Sequence, residues 1–223
     1  MVFKLKSSAS SQDVVLVRNY RLAAKITRRM FGRGILLGNV PGNFKIKIID
    51  FKWGKFFVQI LKKLYRVCKG REINFQWRKE KNYVYFQKFL PSNGHDTRIT
   101  IIGNRAFAFR RFTRNKDFRS SGSGKINYDM QAIDKKFIKI AFDISKNLDF
   151  QSMAYDFLWD GKNPALCEMS YTYADMAVYD CPGFLDSNLN WHEGHHWPQF
   201  FHLVDLLQMP SLKRPVFDEN KIL

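Results

Sequence analysis

The chain has 223 residues, and 37 basic against 20 acidic side chains give it a formal net charge of +17. Its 45% hydrophobic and 16% aromatic content excludes a disordered basic tail. The sequence contains no run of about 18 apolar residues, so we do not expect a membrane-spanning helix. The charge is uneven. Residues 1–125 hold 29 basic and 6 acidic residues, whereas residues 126–223 hold 8 basic and 14 acidic ones. The first part therefore suits phosphate groups, and the second can hold a metal ion.

The cysteines and the start of the chain bear on its cellular compartment. Cys68, Cys167 and Cys181 are odd in number and widely spaced, which fits a reducing compartment better than a disulfide framework. The first residues lack the apolar run of a signal peptide. We therefore expect a cytoplasmic protein.

The first 90 residues predict two short strands and two helices. The strands lie at residues 3–5 and 14–17, on either side of a serine-rich loop at 7–11. Asn19 is a good cap for a helix that runs to Phe31 and ends at Gly32 and Gly34. A second, basic amphipathic helix is predicted at about 53–67. Its apolar face predicts core packing, although a membrane-surface or nucleic-acid role is an alternative.

A change of pattern near residue 90 predicts a domain boundary. Residues 83–90 are rich in β-formers, and a hairpin follows whose strands flank the turn at Gly103 and Asn104. A polar, glycine-bearing loop occupies 117–124. We then predict a helix at about 129–147, strands at 152–159 and 165–171, and a last helix at 198–209.

Asp156 and Glu168 form the first candidate site. Each lies in an apolar, strand-like segment, where a carboxylate is costly unless it is paired or binds metal. A turn at 160–163 would bring the two strands together, and two neighbouring carboxylates suit Mg²⁺ with phosphate oxygens. The alternative is that one or both side chains simply face solvent.

The second candidate site consists of charged residues at the hairpin ends and in the following loop: Asp96, Arg98, Arg111, Arg114 and Arg119. Arginine forms bidentate contacts with phosphate and carboxylate groups. The backbone N–H groups of the glycine-serine loop can add an anion-binding nest. A solvated basic face is the alternative.

Residues 192–196 formally match the zinc-protease pattern H-E-x-x-H. That motif requires a helix, and Gly194 within it and Pro198 after it make a helix poor here. We instead predict a substrate-pocket loop in which Trp191, His192 or Trp197 contacts a sugar or another acceptor. A buried aromatic cluster is the alternative.

The ordered motifs "VYFQKFLP", "DTRITIIGNRAFAFRRFTRNKDFRSSGSG", "YDFLW" and "CEMSYTY" resemble the ATP-grasp superfamily across nearly the whole chain. The tail "CPGFLDSNLNWHEGHHWPQ" is similar to ATP-grasp proteins of bacterial surface-polysaccharide biosynthesis. The resemblance implies an α+β fold, with a lid subdomain at 1–90 and a C-terminal catalytic subdomain with an antiparallel sheet at 91–223. It also implies an N-terminally incomplete chain, because an α/β domain normally precedes the lid.

The resemblance implies ATP and Mg²⁺ as cofactors and assigns roles by position. The implied ATP-binding residues are Lys4, Ser10, Ser11, Gln87, Lys88, Phe89 and Leu90. The implied catalytic residues are Arg98, Arg111 and Arg119. The implied metal ligands are Asp156, Glu168 and Ser170, where Ser170 replaces the more usual asparagine. The predicted substrate-binding residues are Arg114, Ser120, Ser121, Gly122, Trp191 and His192.

The function implied by the resemblance is an ADP-forming carboxylate–amine ligase that acts through an acyl phosphate, in surface-polysaccharide biosynthesis. Its partners would be ATP, a carboxylate and an amine, both of which can be sugar-linked. Two alternatives remain. One is an inactive ATP-grasp fragment, or one that depends on a separate N-terminal domain or a second copy of the chain. The other is a basic nucleic-acid-binding protein, although no recognised nucleic-acid-binding motif is present.

Overall fold

The computed structural model describes residues 1–6, 13–36, 79–114 and 117–213. The chain divides into two units, Met1–Phe89 and Leu90–Leu223. Both contain antiparallel β-sheet together with α-helix, so the predicted α+β class is confirmed at this level. Within the described ranges, no helix is long and apolar enough to cross a membrane.

The first unit is built on a three-stranded antiparallel sheet in the order β2-β1-β5. Its elements are β1 (Val2–Lys4), β2 (Val14–Leu16), α1 (Tyr20–Phe31), β3 (Ile35–Leu36), β4 (Lys79–Glu80) and β5 (Phe86–Gln87). A small core joins the sheet to α1 and β3, and Phe3, Ile26, Met30 and Ile35 are fully buried in it. Phe3 on β1 and the helical spacing of Ile26 and Met30 on α1 give the two segments a shared apolar core.

The predicted first helix is confirmed, including both of its ends. The Asn19 side chain accepts a hydrogen bond of 2.9 Å from the Leu22 backbone N–H, which satisfies one of the free donors of the first turn. Gly32 ends the helix, and Gly34 adopts a φ of 74°. A Cβ at Gly34 would lie 2.7 Å from the Glu80 carbonyl oxygen, so glycine is required there. The serine-rich loop and the helix predicted at 53–67 lie outside the described residues.

The second unit is built on an antiparallel sheet in the order β10-β9-β6-β7-β11-β12, with β8 also paired to β7. Its strands are β6 (His95–Ile102), β7 (Arg105–Phe112), β8 (Ile126–Asn127), β9 (Ser152–Trp159), β10 (Pro164–Ser170), β11 (Gly183–Asp186) and β12 (Trp191–Glu193). Its α-helices are α2 (Lys135–Asn147), α3 (Asp175–Tyr179) and α4 (Pro198–Leu207). The predicted hairpin is confirmed, β9 has the predicted bounds, and β10 differs from its prediction by one residue at each end.

The two faces of this sheet carry different cores. One face packs against α2 through buried residues that include Ile99, Ile101, Tyr155 and Phe157. On the opposite face, Ile102, Phe107 and Phe109 belong to an aromatic-rich cluster that also contains residues of α3 and α4. Because strand side chains alternate, Asp96 and Arg98 point to this second face as well, toward its polar end.

Three predictions of secondary structure needed adjustment. Within 83–90 only Phe86–Gln87 is a strand, because β1 has three residues and pairs with β5 at only two of them. The helix predicted at 129–147 begins at Lys135, after a 3₁₀ turn at Met130–Ala132 and a capping residue, Asp134. The short elements α3, β11 and β12 were not predicted, since three to five residues carry too little periodic pattern.

We predict that Asp134→Ala lowers the free energy of unfolding by about 1 kcal/mol. The Asp134 carboxylate accepts a 2.8 Å hydrogen bond from the Lys136 backbone N–H, and alanine leaves that donor without a partner at the start of α2. Urea denaturation followed by circular dichroism measures the change. Asp143→Ala is the matched control, because Asp143 is exposed in the middle of the same helix. Equal effects of the two substitutions would contradict a capping role.

Candidate functional site

Four charged side chains meet at the polar end of the second sheet face. Asp96 on β6 lies directly opposite Arg111 on β7. Arg98, two residues further along β6, lies opposite Asp156 on β9. Residues opposite each other in an antiparallel pair share a face, as do residues two apart on one strand. The register of three neighbouring strands therefore brings two carboxylates and two guanidinium groups together.

The four groups form a continuous chain of short ion pairs. Arg111 donates from Nε and Nη2 to the two oxygens of Asp96 at 2.8 and 2.7 Å. Arg98 donates in the same bidentate manner to Asp156, at 2.6 and 2.8 Å. Nη2 of Arg111 also lies 2.7 Å from Oδ2 of Asp156, which links the two pairs. The chain Asp96–Arg111–Asp156–Arg98 has no net charge, and we call it the charged cluster.

Burial gives these contacts their strength. Asp96, Arg111 and Asp156 are only 7–8% exposed, so each charge depends on its partners rather than on water. Burial alone would raise the pKa of Asp156, but the hydrogen bond from Arg98 and the charge of Arg111 outweigh it and hold that pKa below its ordinary value. Burial raises the pKa of Asp96, and Arg111 only partly opposes this effect. The most strongly held anion of the cluster is therefore Asp156.

Burial would also lower the pKa of Arg111, but the two carboxylates around it more than compensate and raise that pKa above its ordinary value. Arg111 thus carries a permanent positive charge between Asp96 and Asp156. Arg111 lies on the same face of the sheet as the predicted metal ligands Asp156 and Glu168.

The predicted metal ligands Asp156, Glu168 and Ser170 lie on paired strands. Glu168 on β10 is directly opposite Asp156, and Ser170 lies two residues further along β10. Glu168 is exposed, whereas the Ser170 hydroxyl donates a 2.7 Å hydrogen bond to the Thr172 carbonyl. The three predicted metal ligands thus lie on one face of the sheet.

This donor set suits Mg²⁺ in its chemistry. Mg²⁺ is usually held by one or two carboxylates together with phosphate oxygens and waters. A carboxylate offers about four acceptor positions, and guanidinium donors make three contacts with Asp156. By this count one acceptor position of the Asp156 carboxylate is left for a metal ion. Glu168 is the cross-strand neighbour of Asp156. Among the described residues, no group of three or more histidine, cysteine, aspartate or glutamate side chains is placed to hold a metal, so a cage made of protein alone is not present there.

The loop predicted to bind the acceptor is held by its own side chains. Arg119 pairs with Asp117, with Nη2 and Oδ2 at 2.6 Å. Arg114 donates to the Ser121 carbonyl at 2.8 Å. Ser120 is buried, and Gly122 is exposed with a φ of 73°. These contacts order the loop directly after β7, the strand that carries Arg111.

The residues implied to bind ATP lie on the first sheet and at the point in the chain where the first unit ends and the second begins. Lys4 is half-buried on β1, and Gln87 is half-buried on β5. The exposed Lys88 and the half-buried Phe89 end the first unit, and Leu90 begins the second. Ser10 and Ser11 lie outside the described residues.

Trp191 and His192 lie on β12, the opposite edge of the second sheet from β10. Pairing through β11 places Trp191 level with Ala106, five residues along β7 from Arg111, or about 17 Å at the usual strand rise. The structure does not bring these two residues together with the charged cluster. They form a separate surface at the far end of the sheet.

Residues 191–193 form a strand and residues 194–197 have no helical structure, so the stretch at 192–196 is not the helix of a zinc protease. His192 stacks on Phe184 with ring centroids 4.8 Å apart and lies 3.0 Å from the Asp186 carboxylate. The hydrogen bond with His192 lowers the pKa of Asp186 to about 2. His196 is instead buried beside Phe201 in an aromatic cluster.

Two details of the site were not predicted. Asp96 was recognised as one of the charged residues, but its role as the bidentate partner of Arg111 follows only from strand register. The buried Thr100 hydroxyl, two residues beyond Arg98 on the same face, has no hydrogen-bond partner within the described ranges. The alternation Asp96–Arg98–Thr100 along one strand is the sequence signal that connects these residues.

Comparisons with known proteins provide no family assignment. No protein-family model matches the chain, and a search of curated proteins also gave no significant match. The ATP-grasp resemblance therefore stays a prediction, and the geometry of the charged cluster and of β10 is the basis for assigning a function.

We predict that Asp156→Asn lowers the free energy of unfolding by about 3 kcal/mol, because Arg98 loses its bidentate carboxylate and the buried cluster is left with a net positive charge. The lowered pKa of Asp156 also sets a pH dependence. Its stabilising effect is present above the ordinary aspartate pKa and is lost as the pH falls through the lower folded-state value. The stability difference between the two proteins should therefore shrink below about pH 4.

Urea denaturation at a series of pH values measures this difference. Glu168→Gln is the control, since an exposed carboxylate on the neighbouring strand should change stability by no more than about 0.5 kcal/mol. If the difference in unfolding free energy between wild type and Asp156→Asn stays the same as the pH is lowered, the ion pairs of Asp156 do not stabilise the fold.

Proposed function

We propose that the chain is an ATP-grasp protein that acts as an ADP-forming carboxylate–amine ligase. In this proposal, the face formed by β7, β6, β9 and β10 binds the triphosphate of ATP with Mg²⁺. The protein works in the cytoplasm, where it forms an amide or peptide-like bond in the biosynthesis of a surface polysaccharide. The antiparallel sheet of the second unit corresponds to the catalytic subdomain, and the first unit corresponds to the lid.

One observation carries the proposal. Register aligns Arg111, Arg98, Asp156 and Glu168 on four consecutive strands of one sheet face. Arginines that lie beside a pair of carboxylates meet the two requirements of a metal–triphosphate complex, because the cations contact phosphate oxygens and the carboxylates contact the metal.

The proposal gives each residue a defined task. Asp156 and Glu168 hold Mg²⁺, which neutralises phosphate charge when it is bound. Arg98 and Arg111 exchange part of their contacts with Asp156 for phosphate oxygens. This exchange keeps every charged group paired, which lowers the cost of opening the cluster. Ser170 adds a third oxygen on the same face. Lys4 and the segment at 87–90 stay the nucleotide-binding residues that the ATP-grasp resemblance implies.

The reaction then requires no nucleophilic side chain. The carboxylate substrate attacks the γ-phosphate of ATP, which gives an acyl phosphate and ADP, and the amine displaces phosphate to form the amide. The negative charge that builds up on the transferred phosphate is matched by the permanent cations Arg98 and Arg111. The loop held by Arg114 and Arg119, with Ser120, Ser121 and Gly122, adjoins β7 and would orient the acceptor.

We predict that Glu168→Gln weakens Mg²⁺-dependent ATP binding at least tenfold and leaves the fold intact. The carboxylate is exposed, so its loss removes charge from the proposed metal site and not from the core. Titration with a fluorescent ATP analogue, with and without Mg²⁺, measures the effect. Glu193→Gln is the matched control, because Glu193 is an exposed glutamate on the opposite edge of the same sheet. An absence of nucleotide binding, together with tight, salt-sensitive binding of DNA or RNA, would reject the proposal.

We also predict that hydroxylamine traps an acyl phosphate as a hydroxamate when the protein is incubated with ATP, Mg²⁺ and a carboxylate. Glutamate and glucuronate are suitable first probes. One ADP should be released for each hydroxamate, and Arg111→Lys should reduce the rate because lysine cannot reproduce the bidentate guanidinium contact. Release of AMP and pyrophosphate would contradict the proposed chemistry. ATP binding without turnover would identify an inactive or partner-dependent form.

A further inference from the structure

The whole net charge of the protein belongs to its first unit. Residues 1–89 contain 21 basic and 4 acidic side chains, a balance of +17, whereas residues 90–223 contain 16 of each. The second unit, which carries the charged cluster, is therefore neutral overall. Phosphate binding at that cluster does not account for the excess charge on the first unit, which is a separate feature of the molecule.

The described part of this excess is concentrated on α1 and its two flanks. Six basic side chains between residues 18 and 33 are all exposed: Arg18, Arg21, Lys25, Arg28, Arg29 and Arg33. The single acidic residue between positions 13 and 36 is Asp13, which is 2% exposed. Arg21, Lys25 and Arg28 are spaced at i, i+4 and i+7, so they form one stripe along the helix.

Helix stability does not explain this stripe. Arg18 and Arg21 flank the N-terminus of α1, where the helix dipole disfavours positive charge. Neither α1 nor its flanks offers an exposed acidic partner at helical spacing. The opposite side of α1 faces the core through Ile26 and Met30, so the basic stripe lies on the outward face.

Two exposed aromatic side chains lie beside the stripe. Tyr20 is 85% exposed and Phe31 is 59% exposed, at the first and last positions of α1. They are eleven residues apart, which is close to three helical turns, so both point to the same side about 16 Å apart. Neither ring belongs to a core cluster of the described residues. The outward face of α1 thus combines cations along its length with an apolar ring at each end.

We propose that the outward face of α1 binds the surface of a membrane that contains anionic lipids. Clusters of four to eight basic residues on an amphipathic helix attract acidic headgroups, and aromatic rings settle at the headgroup level. A flat surface can contact Tyr20, Phe31 and the stripe between them at the same time. A nucleic acid would use the cations but would not favour apolar rings at both ends of a straight, convex helix. Charge complementarity and the two rings together thus select a lipid surface.

The binding is peripheral and reversible. The apolar side of α1 is already used by the core around Ile26 and Met30, so insertion is limited to the rings of Tyr20 and Phe31. Attraction by the cations weakens as salt screens it. The inference itself rests on α1 alone and does not require the proposed ligase activity.

The test is sedimentation of the full chain with lipid vesicles. We expect binding to equimolar phosphatidylcholine–phosphatidylserine vesicles, little binding to pure phosphatidylcholine vesicles, and loss of binding at high salt. The triple variant Arg21→Gln, Lys25→Gln, Arg28→Gln should bind the acidic vesicles about a hundredfold more weakly. The matched control is Lys135→Gln, Lys136→Gln, Lys139→Gln, which removes the same charge from the exposed face of α2 and should retain most of the binding.

A second variant separates lipid binding from general attraction to polyanions. Tyr20→Ser with Phe31→Ser keeps every cation and should still weaken vesicle binding several-fold, while circular dichroism shows an unchanged helix content. Equal losses in the two triple variants, or no effect of removing the rings, would overturn the proposal. Binding to a DNA or RNA oligonucleotide that is tighter than vesicle binding and is lost in the α1 triple variant would overturn it in favour of a nucleic-acid surface.

Discussion

The pairing register of β6 with β7 on one side and β9 on the other is the constraint on which the second unit depends. It places Asp96 opposite Arg111 and Arg98 opposite Asp156. A slip of one residue would move all of these charges to the face that packs against α2, where Ile99 and Ile101 are fully buried. Buried charges are tolerable here because each has a partner within hydrogen-bonding distance. The core and the charged cluster thus specify the same register.

The same cluster suits a ligand-binding face because it is neutral and fully paired before a ligand arrives. Its arginines are held in place by Asp96 and Asp156, and in the proposed function they would exchange part of these contacts for phosphate oxygens. Glu168 on β10 is the member of the face whose exposure leaves it accessible. A structural role for the buried ion pairs is therefore compatible with the proposed binding role of the face, in which Asp156 would take part in both.

The two units differ in how they use charge. The second unit balances acidic and basic residues and buries several of them in pairs, whereas the first unit carries the entire excess of +17. On α1 that excess is exposed and lies beside Tyr20 and Phe31. Buried charge in the second unit determines geometry, and exposed charge in the first unit favours an anionic surface. The net charge of the chain is thus a property of one unit.

Local patterns were sufficient for the long elements, because α1, the β6–β7 hairpin and β9 each contain enough periodic residues and a clear cap or turn. They were also sufficient to select Arg98, Arg111, Asp156 and Glu168 as candidate site residues. Local patterns could not decide which charges pair, that Asp96 holds Arg111, or that Trp191 and His192 lie about 17 Å along the sheet from the cluster. Those relations depend on strand order and register between distant segments, which only the folded sheet determines.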